Sequence, residues 1–123
     1  MNGSNIFIDT NIAIYLLNGD NSLAEILNQK KLYLSFITQL ELLGYQDINK
    51  EQEKQIEFML DNCIIIDINS KIKQEVIKLR RNYSFKLPDC IVAATAIYMD
   101  LPLITSDKEF SKIEELNLML YEK

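Results

Sequence analysis

Four carboxylates stand at places where an apolar run gives way to a helical pattern. They are Asp9 in "NIFIDTNIAIYLL", Glu41 in "ITQLELLGY", Asp89 in "LPDCIVAATAIYM" and Asp107 in "LITSDKEF". Carboxylates gathered within a few ångströms repel one another, and burial raises the cost of each charge. A divalent cation resolves that conflict, and oxygen donors without imidazole or thiolate select Mg²⁺ or Mn²⁺. The rest of the composition leaves little else for catalysis. The chain has no histidine, so a Ser-His-Asp triad, a histidine base and the usual zinc sites are excluded. Cys63 and Cys90 lie far apart and form no C-x-x-C pair; they read as small buried hydrophobes.

Each acid also has a plain structural alternative. Asp9 would serve as a helix N-cap. Asp107 follows a strand directly, and Ser106 to Glu109 has the spacing of a capping box, as does Thr38 to Glu41. Asp89 follows Pro88 in a first helical turn, where the helix dipole favours negative charge. The apolar neighbours of Glu41, namely Ile37, Leu40, Leu42 and Leu43, weigh against a mere cap, because a partly buried acid needs a partner. Caps alone do not require that all four acids arise where helix starts could converge on one rim.

The elements that must position these residues alternate from end to end. Strands are expected at Ile6 to Ile8, Leu32 to Ser35, "CIIIDI" (63–68), "LPLIT" (101–105) and "LMLY" (118–121). Helices are expected from Thr10 to Leu17, stopped near Gly19, and from Ser22, where S-L-A-E forms a capping box. Others cover "ITQLELLGY", "KEQEKQIEFML" with Ile56, Met59 and Leu60 on one face, and "KIKQEVIKLRRNY", capped by Ser70 with Ile72, Val76, Ile77 and Leu79 buried. Pro88 opens "DCIVAATAIYM", whose alanines permit close packing, and "DKEFSKIEEL" gives a short last helix. The unbroken apolar run of "CIIIDI" reads as a strand covered on both faces. The pattern predicts a three-layer α/β/α sandwich around a mostly parallel sheet of four or five strands. Ligands of such sheets bind at the carboxyl ends of the strands.

With 123 residues, 48% hydrophobic and 25% charged, and without a linker or repeat, residues 1–123 read as one globular domain. No apolar run reaches the roughly 18 residues needed to span a bilayer, and Met1 to Asn5 lack the start of a secretory signal. The expectation is a cytoplasmic protein with no membrane partner. A formal charge of −5 argues against a broad basic field that coats nucleic acid.

In order and separation, "FIDTN", "TQLELLGY" and "PDCIVAATAIYMDLPLITSDKEF" resemble the PIN-domain ribonucleases, and within them the VapC-like toxins of toxin-antitoxin pairs. The resemblance covers nearly the whole chain. It implies that Asp9, Glu41, Asp89 and Asp107 form an acidic quartet that binds Mg²⁺ or Mn²⁺ and hydrolyses RNA phosphodiesters, Glu41 being either a ligand or an orienter of the attacking water. Thr10 and Asn11 match the residues usual after the first aspartate, and Thr105 and Ser106 the polar positions before the last. Thr10, Thr105 and Ser106 are hydroxyls that could hold the carboxylates in place, or helix caps. Cys90 stands where alanine is commoner. The resemblance further implies a homodimer and a small antitoxin that blocks its groove. Alternatives are a housekeeping PIN nuclease without antitoxin and a catalytically silent RNA- or protein-binding module. A phosphoaspartyl receiver or phosphatase also places aspartates at strand ends, but their acid pair and D-x-D pattern are absent here, since Thr10 and Asn11 follow Asp9.

"KLRRNYSFK", Lys78 to Lys86, interleaves Arg80, Arg81 and Lys86 with Tyr83 and Phe85 just ahead of Asp89. Phosphate contacts and base stacking would suit single-stranded RNA; alternatively the cations complement a helix C-terminus and the aromatics fill the core. Lys108 and Lys112 could meet a substrate phosphate or lie on a solvated face. The first helices, with Ile12, Ile14, Leu16, Leu17, Leu23, Ile26 and Leu27, supply either a dimer patch or core, and Tyr15, Tyr45 and Phe110 read as core.

Overall fold

The computed structural model describes residues 4–123. Met1 to Gly3, part of the segment read against a secretory signal, lie outside the described residues. Five strands form one sheet: β1 (Asn5–Ile8), β2 (Lys31–Ser35), β3 (Ile64–Ile66), β4 (Leu103–Thr105) and β5 (Leu118–Leu120). Their order is β3-β2-β1-β4-β5, and every pairing is parallel. The connections are α1 (Thr10–Leu17), α2 (Asn21–Ile26), α3 (Phe36–Leu43), α4 (Lys50–Asp61), α5 (Ser70–Asn82), α6 (Leu87–Met99) and a 3₁₀ turn at Lys108–Lys112.

Alternation along the strands divides the core between the two faces. Phe7 and Leu103 point to one face, where they pack with Ile72, Val76 and Leu79 of α5 and the buried run Cys90 to Ala96 of α6. Ile6, Ile8, Leu34 and Ile104 point to the other, against Ile12, Leu23, Leu42, Ile56 and Leu60. Helices therefore cover both faces of the sheet, as expected for parallel strands. The alanines of α6 let it approach the sheet and α5 closely, and the hydroxyl of buried Thr95 donates back to the Ile91 carbonyl at 2.7 Å.

Several local expectations are corrected. The run 63–68 forms only a three-residue strand at the sheet edge, with Ile64 36% exposed; its side chains do pack on both faces, Ile66 and Ile68 on one and Cys63 and Ile65 on the other. Ile77 is half exposed, because α5 presents its stripe through Ile72, Val76 and Leu79. Asp20, not Ser22, caps α2 by accepting from the Leu23 amide, and Asn69, not Ser70, caps α5. In both cases an Asx side chain one or two residues upstream reaches the free amide. Residues 107–116 make a 3₁₀ turn over Lys108–Lys112 rather than a full helix. Gly19, which stops α1, has φ +84°, a left-handed conformation that glycine adopts without strain.

The chain runs outward from β1 to β2 and β3, then returns to lay β4 on the other side of β1. The carboxyl ends of β1 and β4 are thus a topological switch point, where a crevice opens. The register Ile8↔Ile104 sets the next residues, Asp9 and Thr105, side by side at its floor.

Candidate functional site

Asp9 is 6% exposed and uses both carboxylate oxygens. Oδ1 accepts the Ile12 amide at 3.0 Å, capping α1, and Oδ2 accepts the Thr105 hydroxyl. The same Thr105 Oγ1 accepts the Asp107 amide at 3.1 Å. One buried hydroxyl therefore ties the acid after β1 to the acid after β4. Asp107 Oδ1 in turn accepts the Glu109 amide at 2.9 Å, so Asp107 rather than Ser106 caps the 3₁₀ turn.

Glu41 is not part of a capping box. Ser35 caps α3 by accepting the Ile37 amide at 3.0 Å, which places Thr38 and Glu41 within the helix, three residues apart on one face. Glu41 Oε1 accepts the Thr10 hydroxyl at 2.5 Å, and Thr10 Oγ1 lies 3.0 Å from Thr38 Oγ1. Asp89 lies in the first turn of α6 behind Pro88, half-buried and without a hydrogen-bond donor among the described residues.

These four acids share one cleft of about 170 Å³, lined also by Thr10, Asn11, Pro88, Val92 and Phe110. Its electrostatics follow from that crowding. Burial is the main cause that raises the Asp9 carboxyl above its ordinary range; hydrogen bonds from Thr105 and Ile12 oppose it, and the charges of Asp107 and Asp89 add to it. Asp89 is raised first by burial, then by Asp107 and Glu41, with Lys86 the cation that counters them. Every side chain in the lining that can donate an electron pair to a metal does so through oxygen, the donor set of a hard cation. Among the described residues, no three acidic or thiol side chains already stand close enough to form a finished ligand set. A cleft shared by four carboxylates, whose donor atoms are all oxygen, fits a divalent cation by the chemistry of its donors.

The family model described as PIN domain matches residues 6–116, a span that contains all four acids. The chain belongs to the PIN-domain family. It is similar to a chain of a toxin-antitoxin complex from Klebsiella pneumoniae, 32% identical, with a TM-score of 0.82 over 96% of this chain and 99% of that one. VapBC-1 from nontypeable Haemophilus influenzae matches at 27% identity and TM-score 0.78, over 94% and 97% of the two chains. VapBC2 from Rickettsia felis, bound to a promoter DNA fragment, shares the fold at TM-score 0.84 and 23% identity, over 96% and 99%. No curated protein sequence matches the chain. Within the family, this PIN domain resembles the VapC-like toxins.

The remaining residues singled out from sequence disperse around the PIN-domain cleft. Ser106 Oγ lies 3.4 Å from the Tyr15 hydroxyl and does not line the acid cleft. Arg80 Nη1 donates to the Phe85 carbonyl at 2.9 Å, bracing the loop before α6. Tyr83 and Phe85 pack against the core, and Phe85 stacks on Phe110 at 6.1 Å. Arg81 is exposed in the last turn of α5, and Lys86, the residue before α6, lies near Asp89. Lys108 faces Glu122 at 3.8 Å, and Lys112 pairs with Glu109 at 2.6 Å. In the first helices Ile12, Leu23 and Leu27 are core, while Ile14 and Ile26 are exposed. Phe110 is core, but Tyr45 is 61% exposed, because α3 ends at Leu43 before its ring can turn inward. Thr38 escaped the sequence reading as a site residue. Its capping-box spacing to Glu41 hid the signal that a threonine inside an apolar helix face needs a partner.

Proposed function

We propose that this PIN domain is a Mg²⁺- or Mn²⁺-dependent endoribonuclease, the toxin of a toxin-antitoxin pair acting in the cytoplasm. The observation that carries this reading is the convergence of acids from four separate segments on one cleft at the sheet's switch point. Helix caps alone would need no such meeting. Asp9, Asp89 and Asp107 would hold the cation, with Glu41 as a further ligand or as the group that orients the attacking water. The bound cation supplies charge neutralisation for the phosphate and a nucleophile from water at neutral pH.

The chain's own groups perform the rest. Thr105 holds Asp9 and the Asp107 backbone in one frame. Glu41, fixed through Oε1 by Thr10, keeps Oε2 to orient a water or take its proton. Val92 and Phe110 form an apolar wall of the cleft, which strengthens the electrostatic interactions beside it. Lys86 adds a positive charge at the rim, where a phosphate would approach.

An antitoxin partner is supported by the toxin-antitoxin complexes among the structural relatives and by an apolar groove of about 350 Å³. That groove joins the acid cleft at Thr10 and Glu41 and is lined by Ile14, Leu17, Tyr45, Ile48 and Ile56. A homodimer is supported by Leu40 and Leu87, 59% and 50% exposed beside two of the acids. No helix among the described residues is long and apolar enough to cross a membrane. The test is Mn²⁺-stimulated cleavage of single-stranded RNA by the purified chain and by Asp9→Asn and Asp89→Asn. Undiminished turnover in both variants would end the proposal.

A further inference from the structure

Thr38 is fully buried, in the first turn of α3. Deep within a helix a threonine hydroxyl can donate back to the carbonyl four residues earlier, as Thr95 does toward Ile91 at 2.7 Å. For Thr38 the residue four earlier, Leu34, lies in β2 and not in the helix, and its hydroxyl bonds across to another element. Its Oγ1 meets the hydroxyl of Thr10, the first residue of α1, at 3.0 Å. The direction of that bond is fixed by the next one. A carboxylate only accepts, so Thr10 directs its single hydroxyl proton to Glu41 Oε1 at 2.5 Å. Thr10 must then accept from Thr38. A chain of donors runs from the core, Thr38 to Thr10 to Glu41, and crosses from α3 to α1 and back.

We propose that Thr38 is a positioning residue that holds the Glu41 carboxylate toward the acid cleft through the hydroxyl of Thr10. Glu41 is exposed and its side chain turns about three bonds; one anchored oxygen and a helix-borne Cα restrict it to a single orientation with Oε2 left for the site. Thr38 provides the anchor's rigidity because it is immobilised in the core and its hydroxyl is engaged with Thr10. Cooperative polarisation along such a chain strengthens each bond. The inference rests on the nuclease reading for its catalytic consequence, but its structural part can be tested without cation or RNA.

The experiment compares Thr38→Val, which keeps volume and removes the hydroxyl, with Thr38→Ser, which keeps it. In the metal-free protein, three-bond couplings of the Glu41 side chain should report one χ1 rotamer in the wild type and in Thr38→Ser, and averaging in Thr38→Val. Thr10→Ala breaks the same chain from the other end and should give the same averaging, so the test survives if Thr38→Val fails to fold. With Mn²⁺, calorimetry should show about tenfold weaker binding in Thr38→Val, as is usual for loss of a group that orients a ligand. RNA cleavage should fall in kcat with KM within twofold, and Thr38→Ser should restore both. An unaveraged Glu41 rotamer in both Thr38→Val and Thr10→Ala overturns the relay. If instead the rotamer averages as expected while the wild type neither binds Mn²⁺ nor cleaves RNA, the relay stands and the nuclease reading falls.

Discussion

The acid cleft and the basic segment Lys78 to Lys86 are both dense in charge, and the fold treats them in opposite ways. The acids come from positions 9, 41, 89 and 107, yet they meet in one crevice. The cations are neighbours in sequence, yet they part company. Arg80 turns inward to the Phe85 carbonyl, Lys78 reaches toward Glu115 at 4.0 Å, Arg81 stays in solvent and only Lys86 approaches the cleft. Sequence proximity on a helix spreads side chains around its axis, whereas parallel strands bring distant residues to one edge. Convergence across elements is therefore the better sign of a site.

The strongest way to break this contrast is to remove a carboxylate's charge while keeping its shape. Asp9→Asn retains a competent cap for α1, so the fold should persist. Mn²⁺-dependent RNA cleavage should fall by about 10²–10³-fold or more, the scale of losing one preorganised electrostatic partner. The same holds for Asp89→Asn. Single-turnover cleavage of a labelled RNA measures it, and circular dichroism checks the fold. A neutral cap that cleaved RNA at the wild-type rate would reduce the cleft to a coincidence of helix ends.

Thr105 comes next. Its hydroxyl joins Asp9 to the Asp107 backbone, so Thr105→Val should weaken Mn²⁺ binding and cleavage about 10–100-fold. Thr105→Ser should recover most of the loss. A buried valine that left Mn²⁺ affinity untouched would show that the strand register alone positions the two acids.

A smaller effect should appear in stability, with opposite sign. Asp9 and Asp89 are raised above the ordinary carboxylate range, chiefly by burial. The folded protein then binds protons more tightly than the unfolded chain, so these groups favour folding when protonated. That contribution is present below their unfolded pKa and is lost as pH rises through their higher folded values. Metal-free protein should lose stability as pH rises above the ordinary carboxylate range, and Asp89→Asn should lessen the loss. At neutral pH the variant should melt higher by roughly 3–6 °C, about 1 kcal/mol for a domain of this size, because solvent screens the partly exposed Asp89. Adding Mn²⁺ should raise the melting temperature of the wild type and much less that of the variant. Thermal melts at several pH values, with and without Mn²⁺, measure both.

How much of this is legible in the sequence follows from the range of each signal. The α/β alternation, the parallel sheet and the acid at the end of each rim strand are local patterns, and they appear where the sequence puts them. The PIN-domain segments aligned the four acids without revealing what holds them. Thr38 was hidden because a capping box and a tertiary relay use the same T-x-x-E spacing, and only packing of α1 on α3 decides between them. Ser22 and Ser70 misled because a stronger Asx cap stood just upstream. The strand at 63–68 came out shorter than its apolar run because only Ile64 to Ile66 pair with β2, and hydrophobicity does not mark where pairing stops. Ile77 fell outside the stripe because the geometry of α5 against α6, not the count of apolar residues, decides which face is covered.

The finest test divides the basic segment itself, where the structure assigns adjacent residues different work. Arg80→Ala should remove the 2.9 Å bond to the Phe85 carbonyl and lower stability by about 1 kcal/mol, with little change in the salt dependence of RNA binding. Lys86→Ala removes a charge beside Asp89 without removing a core contact. It should leave the melting temperature within about 2 °C and reduce the slope of log affinity against log salt by about 1, as the loss of one phosphate contact does. Arg81→Ala, exposed at the end of α5, should alter both quantities least. Binding of Asp9→Asn to single-stranded RNA without added divalent cation, measured across salt concentrations with each substitution added, separates the three. If Arg80→Ala flattened the salt slope as much as Lys86→Ala, the segment would be one continuous phosphate track, and its contrast with the acid cleft would disappear.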